Sequence, residues 1–513
     1  MVDFSVPRSG GDARRHGDDG PPARVSAEPR RAVGEASTKR EARSRAPWIL
    51  LALFLLSLPA VTPRLYASDE IQYFAYLRSL WFDADVSFDN EYRHFYDAGI
   101  ARSAGFHETF LERTTETGRR LNFGTIGTAL VWSPFYAVAD VTARVAAAAG
   151  WPVAADGYST PYMLAIAIGS VTCGWLALLL SMRIAERVAG RALSATLAVL
   201  AGTPLLFYMY LAPGMSHAAS AFAVALFIWV WLRVRETWTA SGLAALGASA
   251  ALMTMVREQD AFIAIGPALD LVLTTAGRVR GDRAALRSTA VAVAAGAAAF
   301  AVTFLPQAFA YLALNGRLGP SRLVERKMTW SSPYALDVLV SPDHGFFFWT
   351  PLALLSIAGL VWLAFADGGG ATSRESHATR RRIAVCALVA VASQVYISGA
   401  VESWTVAGAF GQRRFVGITC LLVLGLAALF ALVGRRPARL ATAAVVALCI
   451  WWNLGLIAQF GAGLMDRQRL DLAANARTTF LVLPRLAPEL AWRYLFDRGS
   501  FYERTAAADE GPS

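Results

Sequence analysis

The chain has 513 residues, of which 55% are hydrophobic and only 17% are charged. This composition is too apolar for an ordinary soluble protein. The net charge of +10 does not indicate nucleic-acid binding, because the arginines lie mainly in the N-terminal tail and between apolar runs. Those runs recur along the chain at about 17–25 residues, long enough to cross a bilayer as helices. The sequence therefore predicts an all-α polytopic membrane protein.

The N-terminal segment 1–45 is rich in Arg, Gly, Pro, Ser, Asp and Glu and has almost no large apolar residues. Such a segment cannot bury a core, so we predict a disordered tail. Lys39, Arg40, Arg43 and Arg45 directly precede the first apolar run. Basic residues favour the cytoplasmic side of a span, which predicts a cytoplasmic N-terminus.

About eleven membrane spans are predicted within a transmembrane domain that covers residues 46–460. The spans are 47–62, 160–182, 192–211, 216–232, 240–256, 261–277, 288–313, 349–366, 383–399, 415–433 and 440–460. With these boundaries, arginines concentrate in five inner links, as orientation by positive charge requires. The C-terminal tail 461–513 is then extracytoplasmic and short.

The first outer loop, residues 63–159, contains two features of interest. Adjacent carboxylates, Asp69 and Glu70, follow the first span by a few residues. Further on, residues 126–149 are apolar enough to cross but contain Pro134, Asp140 and Arg144. If this segment crossed the membrane, every later link would lie on the opposite side, and the arginine-rich links would be outside. We therefore interpret this segment as an amphipathic helix in the outer interface.

Some polar residues are not explained by the rule that places positive charges in the cytoplasmic links. All of these residues fall on the predicted outer side. Ionisable residues at membrane depth are functional candidates by default. The set comprises Asp69, Glu70, His217, Arg257, Asp260, His344, Glu402, Gln412, Arg413 and Arg414.

This set suits sugar transfer from a lipid phosphate. Arg413 and Arg414, with Arg257 next, are candidates to bind the donor phosphate and stabilise its growing negative charge. Asp69 is the candidate base for the acceptor hydroxyl. The remaining polar residues are candidates for sugar or acceptor binding, and either histidine could instead assist the leaving group or ligate a metal: His217, His344, Asp260, Gln412 and Glu402.

Structural interpretations remain open for the same residues. Asp69 and Glu70 could be a solvated helix start with Ser68 as the N-cap. Arg257 and Asp260 could form a structural ion pair. Arg413 and Arg414 could extend to lipid headgroups.

Several stretches resemble a known family. They are the Asp69-Glu70 pair followed by aromatics, and segments 122–127, 130–135, 215–217, 256–260, 344–351 and 410–415. Over residues 47–460 the chain resembles the GT-C integral membrane glycosyltransferases, the group that includes protein O-mannosyltransferases and aminoarabinose transferases. The resemblance implies a GT-C-like helical bundle, a polyprenyl-phosphate sugar donor and inversion at the anomeric carbon. It also implies that Asp69 is the base and that Glu70 orients it or the acceptor. The chain differs from the family in its short tail and in lacking a Lys-Pro-Pro stretch before the second span.

The predicted function is sugar transfer on the extracytoplasmic face of a bacterial cytoplasmic membrane. The predicted partners are a polyprenyl-phosphate-linked sugar, membrane lipids, and a glycan, lipid or protein acceptor, with no nucleic acid. A divalent metal is possible, and no ligand beyond the two histidines is suggested. Two other classes remain: a lipid or glycan transporter or flippase, and a non-catalytic partner in envelope assembly.

Overall fold

The computed structural model describes residues 45–279, 282–365, 376–406 and 408–501. Except for Arg45, the N-terminal tail therefore lies outside the described residues. Contacts divide the chain into two units, Met1–Trp48 and Ile49–Ser513. Of the first unit only residues 45–48 are described, and they begin helix α1.

The described residues are largely helical. Up to the second predicted span the helices are α1 (Arg45–Ala60), α2 (Ser68–Arg78), α3 (Asp89–Asp97), α4 (Ala104–Phe106) and α5 (Gly127–Ala148). The next group is α6 (Thr160–Val188), α7 (Leu193–Gly202), α8 (Leu205–Tyr210), α9 (His217–Val234), α10 (Ala240–Val256), α11 (Ile265–Val279) and α12 (Arg283–Asn315). Then come α13 (Arg322–Arg326), α14 (Asp337–Val340), α15 (Phe346–Trp349), α16 (Leu352–Phe365), α17 (His377–Gly399), α18 (Thr419–Leu432), α19 (Arg436–Gly461), α20 (Leu472–Arg477) and α21 (Leu483–Phe496).

Every predicted span coincides with helical structure. Six helices among the described residues are long and apolar enough to cross a membrane: α6, α9, α12, α17, α19, and α18 with the 3₁₀ segment before it. Four shorter apolar helices, α1, α7, α10 and α16, accompany them. The protein is thus an all-α, multi-pass membrane protein, whereas the count of eleven crossings stays a prediction.

The predicted span 192–211 is broken in the structure. Helix α7 ends at Gly202 and α8 begins at Leu205, because Pro204 lacks an N–H and cannot continue a helix. Asn453 of α19 donates hydrogen bonds to the carbonyls of Ala201 (2.8 Å) and Thr203 (3.1 Å). The break is therefore satisfied by a neighbouring helix, as backbone at membrane depth requires.

The segment 63–159, which the sequence predicts to be the first outer loop, is a packed layer. Its buried aromatic side chains form one cluster with the start of α6: Phe74, Tyr76, Phe88, Tyr92, Phe95, Trp132, Tyr136 and Tyr162. Helix α5 packs on α6, and the Trp132 indole donates to Ser170 at 2.9 Å. The interfacial position of α5 stays a prediction. The aromatic layer gives α2, which carries Asp69 and Glu70, a rigid support.

Two helix crossings depend on glycine. A Cβ on Gly425 of α18 would lie 1.9 Å from the carbonyl oxygen of Ser356 in α16, and a Cβ on Gly359 of α16 would lie 1.9 Å from that of Gly425. Gly247 of α10 meets Gly296 of α12 in the same way, at 2.0 Å. Small residues let membrane helices approach closely, so these glycines set the helix spacing.

We predict that Gly425→Ala destabilises the protein, because the added methyl group must push apart two backbones. Overpacking costs about 1–3 kcal/mol, which outweighs the ~1 kcal/mol by which Ala favours a helix over Gly. Thermal unfolding in detergent measures the effect. Gly434→Ala, whose Cβ would meet nothing within 4 Å, is the control and should leave the midpoint unchanged. A Gly425→Ala protein as stable as the wild type would contradict this account.

Candidate functional site

The start of α2 is capped by Glu70. Its Oε2 accepts hydrogen bonds from the backbone N–H groups of Tyr66 (2.9 Å) and Ala67 (3.1 Å). The N-cap residue is Ala67, so the interpretation of Ser68 as the cap is wrong. A carboxylate that satisfies these amides also interacts favourably with the helix dipole. Glu70 therefore fixes the direction in which α2 presents Asp69.

Glu70 is fully buried, although it stands next to the exposed end of the helix. A Cβ on Gly214 would lie 3.0 Å from Glu70 Oε1, so the turn at Gly214 closes over this carboxylate. Burial raises the pKa of Glu70 to about 7, while the two backbone amides lower it. These are the contacts of a positioning residue. The catalytic role predicted for Glu70 stays a prediction.

Asp69 forms an ion pair with Arg413. The Arg413 Nη1 atom lies 2.7 Å from Asp69 Oδ2, with side-chain exposures of 21% and 38%. Arg413 begins the 3₁₀ helix Arg413–Ile418, which leads into α18. The fold therefore brings Asp69, the candidate base, into contact with Arg413, a leading candidate to bind the donor phosphate. Because Arg413 is held in this ion pair, it does not simply extend to lipid headgroups.

Arg257 lies in the next layer of the site. It follows α10 in an extended conformation and donates a hydrogen bond from Nη1 to Nδ1 of His217. His217 is 2% exposed and its ring centroid lies 4.3 Å from that of Tyr208. An imidazole nitrogen that accepts from a guanidinium carries no proton, so His217 orients Arg257 as a neutral acceptor.

Gln259 connects Arg257 to Arg414. Its Oε1 accepts from Arg257 Nη2 at 3.2 Å, and its Nε2 donates to the backbone carbonyl of Arg414 at 3.0 Å. The Arg414 side chain donates to the backbone oxygen of Ser403 at 3.0 Å. The sequence did not single out Gln259, although it lies in the stretch Arg257-Glu258-Gln259-Asp260.

Asp260 is buried below this layer. Its Oδ2 accepts from the Ser220 hydroxyl at 2.6 Å, and a Cβ on Gly417 would lie 3.1 Å from Oδ1. Within the described residues Asp260 forms no ion pair with Arg257, which contradicts the structural alternative for this pair. Asp260 links α9 to the 3₁₀ helix that carries Arg413.

His344 and Gln412 are buried supports. His344 stacks on Trp349 with ring centroids 5.1 Å apart, and its Nε2 lies 3.2 Å from the carbonyl oxygen of Ala409. Gln412 donates to the carbonyls of His344 (3.2 Å) and Trp404 (3.0 Å). Both shape the segment before Arg413. Glu402 is exposed, and no contact in the described part of the chain brings its side chain to this group.

Sequence reasoning missed a buried charge cluster. Asp270 of α11 accepts from Arg235 (2.8 and 3.1 Å) and from the Trp231 indole (3.0 Å), and Arg382 lies 3.1 Å away. Arg235 and His217 are at opposite ends of α9, and an 18-residue helix is about 27 Å long. The cluster is therefore remote from Asp69.

One cavity opens beside the ion pair, and a larger cavity adjoins it. The smaller, of about 180 Å³, is lined by Asp69, Arg413, Tyr208 and Met215, among others. The larger, of about 1140 Å³, shares the lining residues Tyr66, Ser68, Phe207 and Phe460 with it. Among the described residues, no group of three or more His, Cys, Asp or Glu side chains could hold a metal ion.

Comparisons with known proteins find several similar solved chains, two of which are crystal structures of one protein. No family model and no curated protein sequence matches the chain. A crystal structure of ArnT from Cupriavidus metallidurans bound to undecaprenyl phosphate has 13% identity and a TM-score of 0.49, over 91% of this chain and 76% of that one. The apo structure of the same protein gives 12% and 0.46 over the same shares. At these values neither structure supports a function for this chain.

We predict a pH-dependent stability that originates in Glu70. Its pKa is about 7 in the folded protein and about 4.5 when exposed, so the folded state holds the proton more tightly. The contribution of Glu70 to the free energy of unfolding should therefore be largest below pH 4.5 and fall by about 3 kcal/mol as the pH rises to about 7. Unfolding midpoints across this range measure it. In Glu70→Gln the fall should shrink, and an identical fall in both proteins would contradict the assignment.

Proposed function

We propose that this protein is a membrane glycosyltransferase that transfers a sugar from a polyprenyl-phosphate donor to an acceptor hydroxyl in a single inverting displacement. The observation that carries the proposal is the Asp69–Arg413 ion pair on the wall of an open pocket, backed by Arg257 and Arg414. A carboxylate beside clustered arginines combines a proton acceptor with a phosphate site. The polyprenyl carrier is implied by the resemblance in sequence.

The chemistry assigns one role to each charged group. The acceptor oxygen forms a bond to the anomeric carbon while the bond from that carbon to the phosphate oxygen breaks. The hydroxyl proton passes to the Asp69 carboxylate, and the electron pair leaves with the phosphate. Arg413 stabilises the charge that grows on the phosphate, and Arg257 and Arg414 add positive potential behind it.

The resting ion pair orders these events. The Arg413 guanidinium lies 2.7 Å from the Asp69 carboxylate and neutralises it. The same carboxylate has to accept the proton during transfer. A donor phosphate competes for the same guanidinium, since arginine binds phosphate oxygens through paired N–H groups. Donor binding then draws Arg413 toward the phosphate and leaves Asp69 available to the acceptor. The base becomes available when a donor is present.

Asp69→Asn should lower transfer at least about 100-fold, since general-base catalysis contributes 10²–10⁴-fold. The assay incubates membranes with radiolabelled polyprenyl-phosphate sugars and follows label into a new product. Asp97→Asn, an exposed carboxylate of α3, is the control and should retain activity. A folded, fully active Asp69→Asn protein would rule out the mechanism, and label that crosses the membrane unchanged would indicate a transporter.

Arg413→Gln should weaken donor binding and slow transfer together, because the same guanidinium contacts the phosphate before and during bond breaking. We expect a loss of about 100-fold in kcat/KM for the donor. Arg413→Lys should recover only part, since an ammonium cannot make the paired contact. Arg477→Gln, an exposed arginine of α20, is the matched control. Unchanged donor photocrosslinking and kinetics in Arg413→Gln would place the phosphate elsewhere.

A further inference from the structure

Two segments on the predicted outer side are joined close to the arginines of the site. Residues 327–334 run antiparallel to residues 399–404. Three backbone N–H groups donate across them: Thr329 to Ala400 at 2.7 Å, Glu402 to Lys327 at 2.8 Å and Tyr334 to Gly399 at 3.2 Å. A Cβ on Gly399 would lie 2.5 Å from the backbone nitrogen of Ala335, so the two backbones are in close contact. The two segments therefore form one unit, which we call the outer platform.

Strained backbone occurs at two positions in or next to the outer platform. Ser332 has a φ angle of 52° and Val406 has one of 47°. Residues other than Gly rarely adopt this left-handed conformation, and a β-branched residue there is a true outlier. Strain of this kind is costly and is concentrated at sites that bind ligands. The strain therefore indicates a surface whose shape matters for binding.

The outer platform presents aromatic side chains next to polar ones. The rings of Tyr334 and Trp404 stack with their centroids 5.8 Å apart and their planes at 23°, and both side chains are half-buried. Glu402 and Ser403, directly before Trp404, are exposed. An exposed carboxylate is costly in the hydrocarbon of a bilayer. Glu402 therefore favours a surface that faces water over one that contacts lipid tails.

This combination of groups matches the surface of a sugar ring. A pyranose presents C–H groups on its faces and hydroxyl groups around its rim. The aromatic pair can pack against the C–H groups, and the Glu402 carboxylate can accept hydrogen bonds from the hydroxyls. A hydrocarbon chain would make no use of the carboxylate, and an anionic headgroup would be repelled by it. The chemistry of the platform thus favours an uncharged glycan.

The outer platform is directly connected to the arginines. Gln412, which precedes Arg413, donates from Nε2 to the carbonyl of Trp404 at 3.0 Å. Arg414 donates to the backbone oxygen of Ser403 at 3.0 Å and to its Oγ at 3.3 Å. A ligand on the platform would therefore lie next to the residues that hold Arg413.

We propose that Tyr334 and Trp404, together with Glu402, form a carbohydrate-binding subsite that holds a glycan portion of the acceptor. The sugar ring packs on the aromatic pair, and its hydroxyls donate to Glu402. The identification of this glycan as the acceptor rests on the proposed function, whereas the binding itself does not. The sequence suggested Glu402 for sugar or acceptor binding, and the platform gives it that role away from the arginine group.

Hydroxyl-radical footprinting of the full chain tests the binding. Asp69→Asn protein in phosphatidylcholine nanodiscs is exposed to radicals with and without linear hexaoses of glucose, mannose, galactose or arabinose, each tested separately. Oxidation of each aromatic side chain is then measured by mass spectrometry. We expect at least one hexaose to protect Trp404 and Tyr334 in a saturable way. Trp151, which is 69% exposed and lies outside the platform, should stay unprotected.

Matched variants test which side chains bind the glycan. Trp404→Ala should weaken binding at least about tenfold, as truncation of a central aromatic contact usually does. Trp404→Phe should keep most of the affinity because it keeps an aromatic face. Glu402→Gln should weaken binding about tenfold, since hydrogen bonds to a charged group are the stronger kind. Trp151→Ala is the control and should bind the hexaose like the parent protein. The backbone oxygen of Trp404, and not its side chain, holds Gln412, so these substitutions leave that contact in place.

Three results would overturn the proposal. They are the absence of protection by every hexaose, unchanged affinity in both Trp404→Ala and Glu402→Gln, and labelling of Trp404 by photoactivatable phosphatidylcholine in place of oxidation. The last result would make the platform a membrane contact.

The acceptor role needs a separate measurement in wild-type membranes. The hexaose that binds should receive label from the donor or inhibit transfer to the natural product. If transfer proceeds and the hexaose does neither, the acceptor role is wrong. Because the binding assay uses an inactive variant, failure of the proposed transferase activity would leave the binding result standing.

Discussion

The ion pair between Asp69 and Arg413 is the contact on which the rest of the site depends. Its two residues come from distant parts of the chain, and each is held by buried backbone contacts. Glu70 caps the helix that carries Asp69, and Gln412 fixes the segment that carries Arg413 through the carbonyls of His344 and Trp404. Moving either backbone would leave buried hydrogen bonds unmade, which is costly. The two side chains can therefore exchange partners while their backbones stay in place.

The charge balance of the three arginines favours an anionic ligand at this site. Arg257, Arg413 and Arg414 converge, and among the described residues only Asp69 forms an ion pair with any of them. Partly buried like charges repel one another, and the neutral His217 relieves this by accepting a hydrogen bond without adding charge. In the proposed function, the donor phosphate supplies the missing negative charge. The arrangement is least favourable when empty and gains most when an anion binds.

The sequence predicted the helices well because the period and length of apolar runs are local signals. Pro204 gave a local signal too, although we treated 192–211 as continuous. The N-cap of α2 had a local signal as well, because Glu70 accepts a hydrogen bond from the N–H of Ala67 only three residues away. Other features depend on tertiary contact and leave no local trace. Asp270 meets Arg235 and Arg382 only after three helices have packed.

The contacts of the C-terminal segment also depend on tertiary packing, and they link this segment to the end of α1. Tyr494 donates to the carbonyl of Ala60 at 2.7 Å, and Arg498 donates to that of Val61 at 2.5 Å. The last carbonyls of a helix lack partners within it, so the end of α1 is a natural docking point for these donors. The chain continues directly from Val61 to the cap of α2 and to Asp69. Any movement of α21 would therefore act on the segment that positions the proposed base, which links the C-terminal segment to the geometry of the ion pair.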